Sequence, residues 1–292
     1  MQTQSQIARR WPFDVRPLSP NLGAELIGVD LARGVDGQFF NSIYQAFLQY
    51  QVLLFGASEL PPGRQVEFAR HFGEVQIHVM NQYRSSVHPE LYRLSNLDEH
   101  GNPNGKFPDK GTLVWHTDGS WQRVTGQATL LYAEIAAGEG GETLFCDMYG
   151  AWERLSPAWK RRIENLRAIH NLDFSRTRRH GEEPMTEEQK RKVPPVDHPV
   201  VRTHPDTRRK CLYLGDHAES IVGMDYDAGR ALIEELNALA IHADFVYTHR
   251  WQPGEAIVWD NRCLQHRATV YDPATQRRVI RRCTVLGEVP QG

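Results

Sequence analysis

The chain has 292 residues, 40% of them hydrophobic, enough to bury a sizeable core. Lys and Arg number 34 against 36 Asp and Glu, a formal charge of −2, so no strong global field collects nucleic acid or an anionic membrane. No apolar run approaches the ~20 residues that span a bilayer. The start, MQTQSQIARRWPFDV, lacks the apolar stretch of a signal peptide, and Cys146, Cys211, Cys263 and Cys283 are scattered without a Cys-x-x-Cys. A cytoplasmic protein with neither a disulfide framework nor a zinc cluster is expected.

In chain order, Asp14–Leu18 and Ala24–Val29 read as extended pieces around a turn at Ser19–Gly23. Phe39, Ile43, Phe47 and Leu48 recur at helical spacing, and Gln51–Phe55 is a short apolar run closed by Gly56, read as a buried strand. A second helix is predicted over Gly63–Phe72, with Val66, Phe68, Ala69 and Phe72 facing the core. Residues 96–111 are rich in Gly, Pro, Asn and Asp and read as a loop, followed by a strand over Gln127–Ile135 and a glycine turn before Thr143-Leu144-Phe145. Ala151–Leu166 reads as helical, with Ser156-Pro157 suited to a cap and a first-turn proline.

Residues 171–197 are polar and charged and read as a mobile insertion. A solvated surface is the first expectation for such a run, and a lid over a substrate the second. Strands resume at His198–Thr203 and Cys211–Leu214, and Ala228–His242 reads as a helix with Leu232, Ile233, Leu236 and Leu239 on one face. Tyr247–Trp251, Glu255–Trp259, Arg267–Tyr271 and Arg278–Leu286 close the chain as strands. Many short strands with a few helices predict one β-rich α+β domain over residues 1–292, of sandwich or barrel type.

The chemistry centres on Trp115-His116-Thr117-Asp118. If this stretch is a strand, His116 and Asp118 share a face. Joined by a distant histidine such as His266, they form the two-histidine, one-carboxylate set that holds non-haem Fe(II) and leaves positions open. Alone, a His-x-Asp pair is weak, because such pairs arise by chance. It is accompanied, in order, by Gly140-Gly141-Glu142-Thr143-Leu144, His198-Pro199-Val200-Val201-Arg202-Thr203-His204-Pro205, Trp259-Asp260-Asn261-Arg262-x-x-x-His266, and Gln276-Arg277-Arg278-Val279-Ile280-Arg281-Arg282 with Leu286-Gly287.

Together these segments resemble the TauD/TfdA family of Fe(II)- and 2-oxoglutarate-dependent dioxygenases, from about Leu22 to Gly287. The resemblance implies a double-stranded β-helix, or jelly roll, with flanking helices. It implies Fe(II) on His116, Asp118 and His266, with 2-oxoglutarate and O2 as cosubstrates. Arg278 matches the arginine that pairs with the far carboxylate of 2-oxoglutarate and Thr143 the threonine that assists it. The loop between His266 and Arg278 is one residue longer than in the taurine enzymes, so Arg277 stays open as an alternative. Arg282 matches the arginine that holds the substrate's acidic group. His78 falls where the taurine enzymes have a substrate-contacting histidine. His217, in Gly215-Asp216-His217-Ala218-x-x-Ile221-x-Gly223-Met224, resembles a sequence of the aryloxyalkanoate enzymes. Related halogenases have a small residue at the Asp118 position, so the carboxylate argues for hydroxylation.

Arg278 and Arg282, four residues apart, would share a strand face, with Arg277 and Arg281 on the other. A guanidinium can grip a carboxylate with two parallel hydrogen bonds, and Arg282 is expected to stay unpaired until an anionic substrate arrives. The expected partner is therefore a small anionic organic substrate, an aryloxyalkanoate-like carboxylate before taurine or another alkylsulfonate, with biosynthetic oxidation a further option. Nucleic acid and membrane are not expected, and a homo-oligomer is left open. A non-catalytic jelly-roll binding protein would not need the ligand set together with Arg278. A zinc hydrolase would leave Arg278 and Thr143 without a task.

Overall fold

The computed structural model describes residues 11–77, 85 and 87–292, and its secondary structure is mixed α/β with extensive sheets. The chain opens with β1 (Asp14–Pro17), β2 (Ala24–Ile27), α1 (Gly37–Tyr50), β3 (Val52–Phe55), α2 (Pro62–Arg70) and β4 (Tyr92–Ser95). The middle runs through β5 (Gly126–Ile135), β6 (Thr143–Asp147), α3 (Met148–Arg154), α4 (Pro157–Ile163), β7 (Arg167–His170), α5 (Leu172–Phe174), α6 (Glu187–Lys192), β8 (Val196–Pro199), β9 (Val201–Thr203), β10 (Lys210–Leu212) and β11 (Ala218–Ile221). Then come α7 (Tyr226–Ala240), β12 (Val246–His249), β13 (Ala256–Asp260), β14 (Leu264–Ala268) and β15 (Val279–Leu286).

A seven-stranded sheet in the order β1-β2-β3-β13-β5-β15-β4 forms the larger layer. All its pairings are antiparallel except β2 with β3. One face packs against α1 and α2, where Phe40, Ile43, Phe47 and Phe68 meet Leu53, Phe55, Leu130 and Val258. The other face meets a smaller sheet, β12-β6-β14, where Leu131, Ile257 and Trp259 pack with Phe145 and Leu264. Strand β3 is buried on both faces, so its sequence is an unbroken apolar run and not an alternation.

The elements differ from expectation in several places, and the strand expected over His198–Thr203 is divided between β8 and β9, in separate sheets. The predicted helix over 151–166 is two helices: Ser156 is held extended (ψ 156°) ahead of Pro157, caps the Trp159 N–H and starts α4. The strand expected at 267–271 is β14, Leu264–Ala268, which sets His266 mid-strand. Leu239 on α7 is 41% exposed, and Ala240 takes its place beside buried Leu232, Ile233 and Leu236. The 171–197 segment contains α5 and α6, the latter started by a reciprocal Thr186–Gln189 capping box.

The α7 face gives a direct check. Leu236→Ala empties a fully buried position and should cost about 2–5 kcal/mol in denaturant unfolding. Leu239→Ala should stay within about 0.5 kcal/mol of wild type. Equal costs would contradict this packing.

Candidate active site

The Trp115–Asp118 stretch is not a strand. One isolated antiparallel bridge joins His116 to His266, the His116 N–H donating to the His266 carbonyl at 3.0 Å and the reverse at 2.8 Å. Their rings lie 4.2 Å apart. Asp118 is fixed separately, on the side of the larger sheet. Its N–H donates to Asn261 Oδ1 at 3.2 Å, and its Oδ2 accepts from Thr129 Oγ1, on β5, at 2.7 Å. Asn261 also donates to Thr129 Oγ1, accepts from the Trp259 indole, and its carbonyl takes the Thr117 hydroxyl. One asparagine thus aligns the loop, the carboxylate and β13.

The three side chains fit a metal ion. The His116 Nδ1 sits 2.8 Å from the Val114 carbonyl and donates to it, which leaves Nε2 with a lone pair. The His116 Nε2 is 3.7 Å from Asp118 Oδ1 and the His266 Nε2 is 3.8 Å from Oδ2. Those separations are too long for hydrogen bonds and leave room for a shared cation. All three ligand atoms lie within 4.8 Å of one another. Burial, then the neighbouring His116, drives His266 well below the usual imidazole range, so its imidazole is neutral, the form a metal ion would need. Burial alone would raise the Asp118 carboxyl, but the Arg282 guanidinium, with the Thr129 hydroxyl donating to it, holds it below the usual carboxylate range.

The arginines separate by face as expected. Arg278 is buried, and Arg277 is exposed. The Arg278 Nε donates to the Gly141 carbonyl at 3.3 Å, its guanidinium lies 5.8 Å from the Tyr271 ring, and it has no acidic partner among the described residues. Burial lowers its pKa to about 10. Gly141, at φ 68°, has to be glycine, since a Cβ there would meet Arg278 atoms at 3.0 and 3.1 Å. Asn96 Oδ1 accepts from the Arg278 N–H at 2.9 Å, while its Nδ2 ties down the Pro273 and Gln276 carbonyls. Thr143 is buried and its hydroxyl oxygen accepts from the Trp251 indole at 2.9 Å, leaving its proton to donate.

Arg282 departs from expectation. Its Nη1 lies 3.4 Å from Asp118 Oδ1 and its guanidinium stacks 4.4 Å from the Tyr92 ring, so it is already paired. It lines one cavity with His116, Asp118 and His217, whereas Arg278 and Thr143 do not line that cavity. His217 reaches it because Gly215, at φ 120°, lets the loop close on the His116 backbone, where a Cβ would sit 3.1 Å from the His116 Cα. The His217 Nδ1 meets Ser120 Oγ at 3.0 Å, and burial lowers its pKa to about 4. Trp121 and Leu172 supply apolar wall. His78 lies outside the described residues.

Residues 14–284 match the model of the "Taurine catabolism dioxygenase TauD, TfdA family". The 2,4-dichlorophenoxyacetate dioxygenase of Cupriavidus pinatubonensis is 34% identical over 283 residues, 93% of this chain and 97% of the other. The (S)-phenoxypropionate/alpha-ketoglutarate-dioxygenase of Sphingobium herbicidovorans is 32% identical over 288 residues, 94% and 96% of the two chains. The crystal structure of AAD-2 in complex with Mn(II) and N-oxalylglycine superposes with a TM-score of 0.83 at 32% identity, covering 96% of this chain and 98% of the other. The chain belongs to the TauD/TfdA family, and it is an Fe(II)- and 2-oxoglutarate-dependent dioxygenase that uses O2.

Thr129 was not singled out from the sequence, because a lone threonine in a strand carries no signal. Its contact with Asp118 makes it testable. Thr129→Val should weaken Mn(II) binding about 10–100-fold, while Thr129→Ser should restore it. Unchanged Mn(II) titration in the valine variant would remove Thr129 from the site.

Proposed function

We propose that the chain hydroxylates a small aryloxyalkanoate-type acid at the carbon beside the ether oxygen. The hemiacetal so formed collapses to a phenol and a 2-oxo acid. His116, Asp118 and His266 would hold Fe(II), Arg278 with Thr143 would hold the far carboxylate of 2-oxoglutarate, and Arg282 and His217 would face the substrate. The observation that carries the reading is Arg278, a buried guanidinium without an acidic partner among the described residues. A buried unpaired charge is costly, and a bound dicarboxylate would offset it. The bound iron, cosubstrate and O2 together supply the oxidising equivalent.

The chain's own residues set the position of that chemistry. The His116–His266 bridge fixes two imidazoles, Thr129 and Asn261 orient the carboxylate, and the cavity walls hold the substrate carbon close by, which lowers a barrier through positioning. Trp121 and Leu172 fit the apolar ring of an aryloxy acid, and two of the similar enzymes are named for such acids. The packed pair of sheets supports a jelly roll formed as one domain. Four buried free thiols agree with a cytoplasmic setting.

A panel of aryloxy acids and alkylsulfonates, scored for succinate and for released phenol, tests this reading. Aryloxy acids should give both products in equal amounts, and preference for taurine would refute the substrate assignment. Arg278→Ala should raise the 2-oxoglutarate requirement about 30-fold or more, as loss of a buried charge partner does. Arg277→Ala should change it little, and the reverse pattern would exchange the two roles. His266→Ala should lose metal and turnover while remaining folded by circular dichroism.

A further inference from the structure

One wall of the cavity comes from the segment between α5 and α6, to which no task has been given. Helix α5 runs into a wide turn at Ser175–Arg179, closed by the His180 N–H on the Ser175 carbonyl at 3.1 Å. Wide i→i+5 turns gather at functional sites. This one brings Ser175, Arg176 and His180 to the cavity that Arg282 also lines. His180 is spent on Asp216, at 2.6 Å, and Arg179 on Asp216 and Glu234. Arg176 is different. Its Nη1 meets Glu182 at 2.7 Å, its Nη2 reaches the Glu183 carbonyl at 3.4 Å, and its Nε is buried with no hydrogen-bond partner among the described residues.

We propose that Arg176 is a second contact for the substrate's anionic group, and that Glu182 is the placeholder the substrate displaces. The proposal rests on the reading of the substrate as a small organic acid and adds a residue to it. A carboxylate approaching Arg282 also approaches Asp118, and the Asp118 side chain, 7% exposed, has no room to withdraw. Glu182 shares the same cavity but its side chain is 23% exposed, so it can swing to water when an anion takes its place. Arg176 then offers the incoming carboxylate the Nη1 that Glu182 held, beside Nη2, as a planar pair of donors. Leu172, one turn earlier on the same segment, lines the cavity too, so the contact would draw an apolar wall onto the ring.

The two partners predict opposite effects, which a purely structural clasp would not. Binding is measured calorimetrically on Mn(II)- and 2-oxoglutarate-loaded full-length protein, with phenoxyacetate as the acid and 2-phenoxyethanol as its neutral counterpart. Arg176→Gln should weaken phenoxyacetate about tenfold or more, Glu182→Gln should tighten it severalfold, and neither should move 2-phenoxyethanol. Arg176→Lys, which keeps the charge and loses the fork, should fall between wild type and Arg176→Gln. If Arg176→Gln and Glu182→Gln both weaken the acid, or Arg176→Gln leaves it unchanged, the assignment of Arg176 is overturned while the acid-substrate reading stands. If the wild type binds phenoxyacetate no better than 2-phenoxyethanol, the acid-substrate reading falls and takes the assignment with it.

Discussion

The backbone exchange between His116 and His266 is the constraint on which the site depends. It is a single bridge between a loop and β14, yet it carries both imidazoles, with rings 4.2 Å apart. The carboxylate is held from the opposite side, by Thr129 on β5 and by Asn261 just after β13. The triad is therefore a stitch between the smaller sheet and the larger one. Two imidazoles and a carboxylate, all buried, face one another at distances too long for hydrogen bonds between them. A cation at their centre would satisfy the carboxylate and both Nε2 atoms together.

A second cluster shows what the same residue types look like when they are structural. His204, Asp260 and Cys263 also bring ligand atoms close together. There the His204 Nε2 donates to Asp260, its Nδ1 accepts from the Asp206 and Thr207 N–H groups, and Arg262 grips Asp260. Every histidine nitrogen is spent, and the carboxylate has a guanidinium of its own. Each cluster has a carboxylate with a guanidinium beside it, and what separates them is the state of the histidine nitrogens.

Much of the fold was legible because period follows burial. The β3 run and the α1 spacing are read from apolar positions alone. The cap at Ser156-Pro157 is legible in the sequence, and it divides the span read as one helix because proline keeps the preceding residue extended. The position of β14 was misread because its outer half is only partly buried, and the buried residues Leu264–His266 look like the loop after Trp259-Asp260-Asn261. The convergence of His116, Asp118 and His266 was legible, but for a different reason from the one assumed. His116 and Asp118 converge through a bridge and an asparagine, not through the alternation of a strand. Thr129 and Asn96 were illegible because their contacts run across long sequence separations.

Strand β15 and the residue before it show how alternation distributes one charge type among several tasks. Arg281 points to the α2 side, stacks on Tyr132 and pairs with Glu134 and the Leu60 carbonyl. Arg282 points to the cavity and pairs with Asp118. Arg278 shares that inward face, and among the described residues its guanidinium has only the Gly141 carbonyl and an aromatic ring. Arg281 and Arg282 have their countercharges built into the fold. Arg278 does not, so the folded chain bears a desolvation cost there that the protein alone leaves uncompensated. A ligand that binds the native state and supplies a carboxylate offsets that cost, and its binding free energy adds to the stability of the fold. That Arg278 has no acidic partner among the described residues is therefore what supports a ligand site at this end of the sheet.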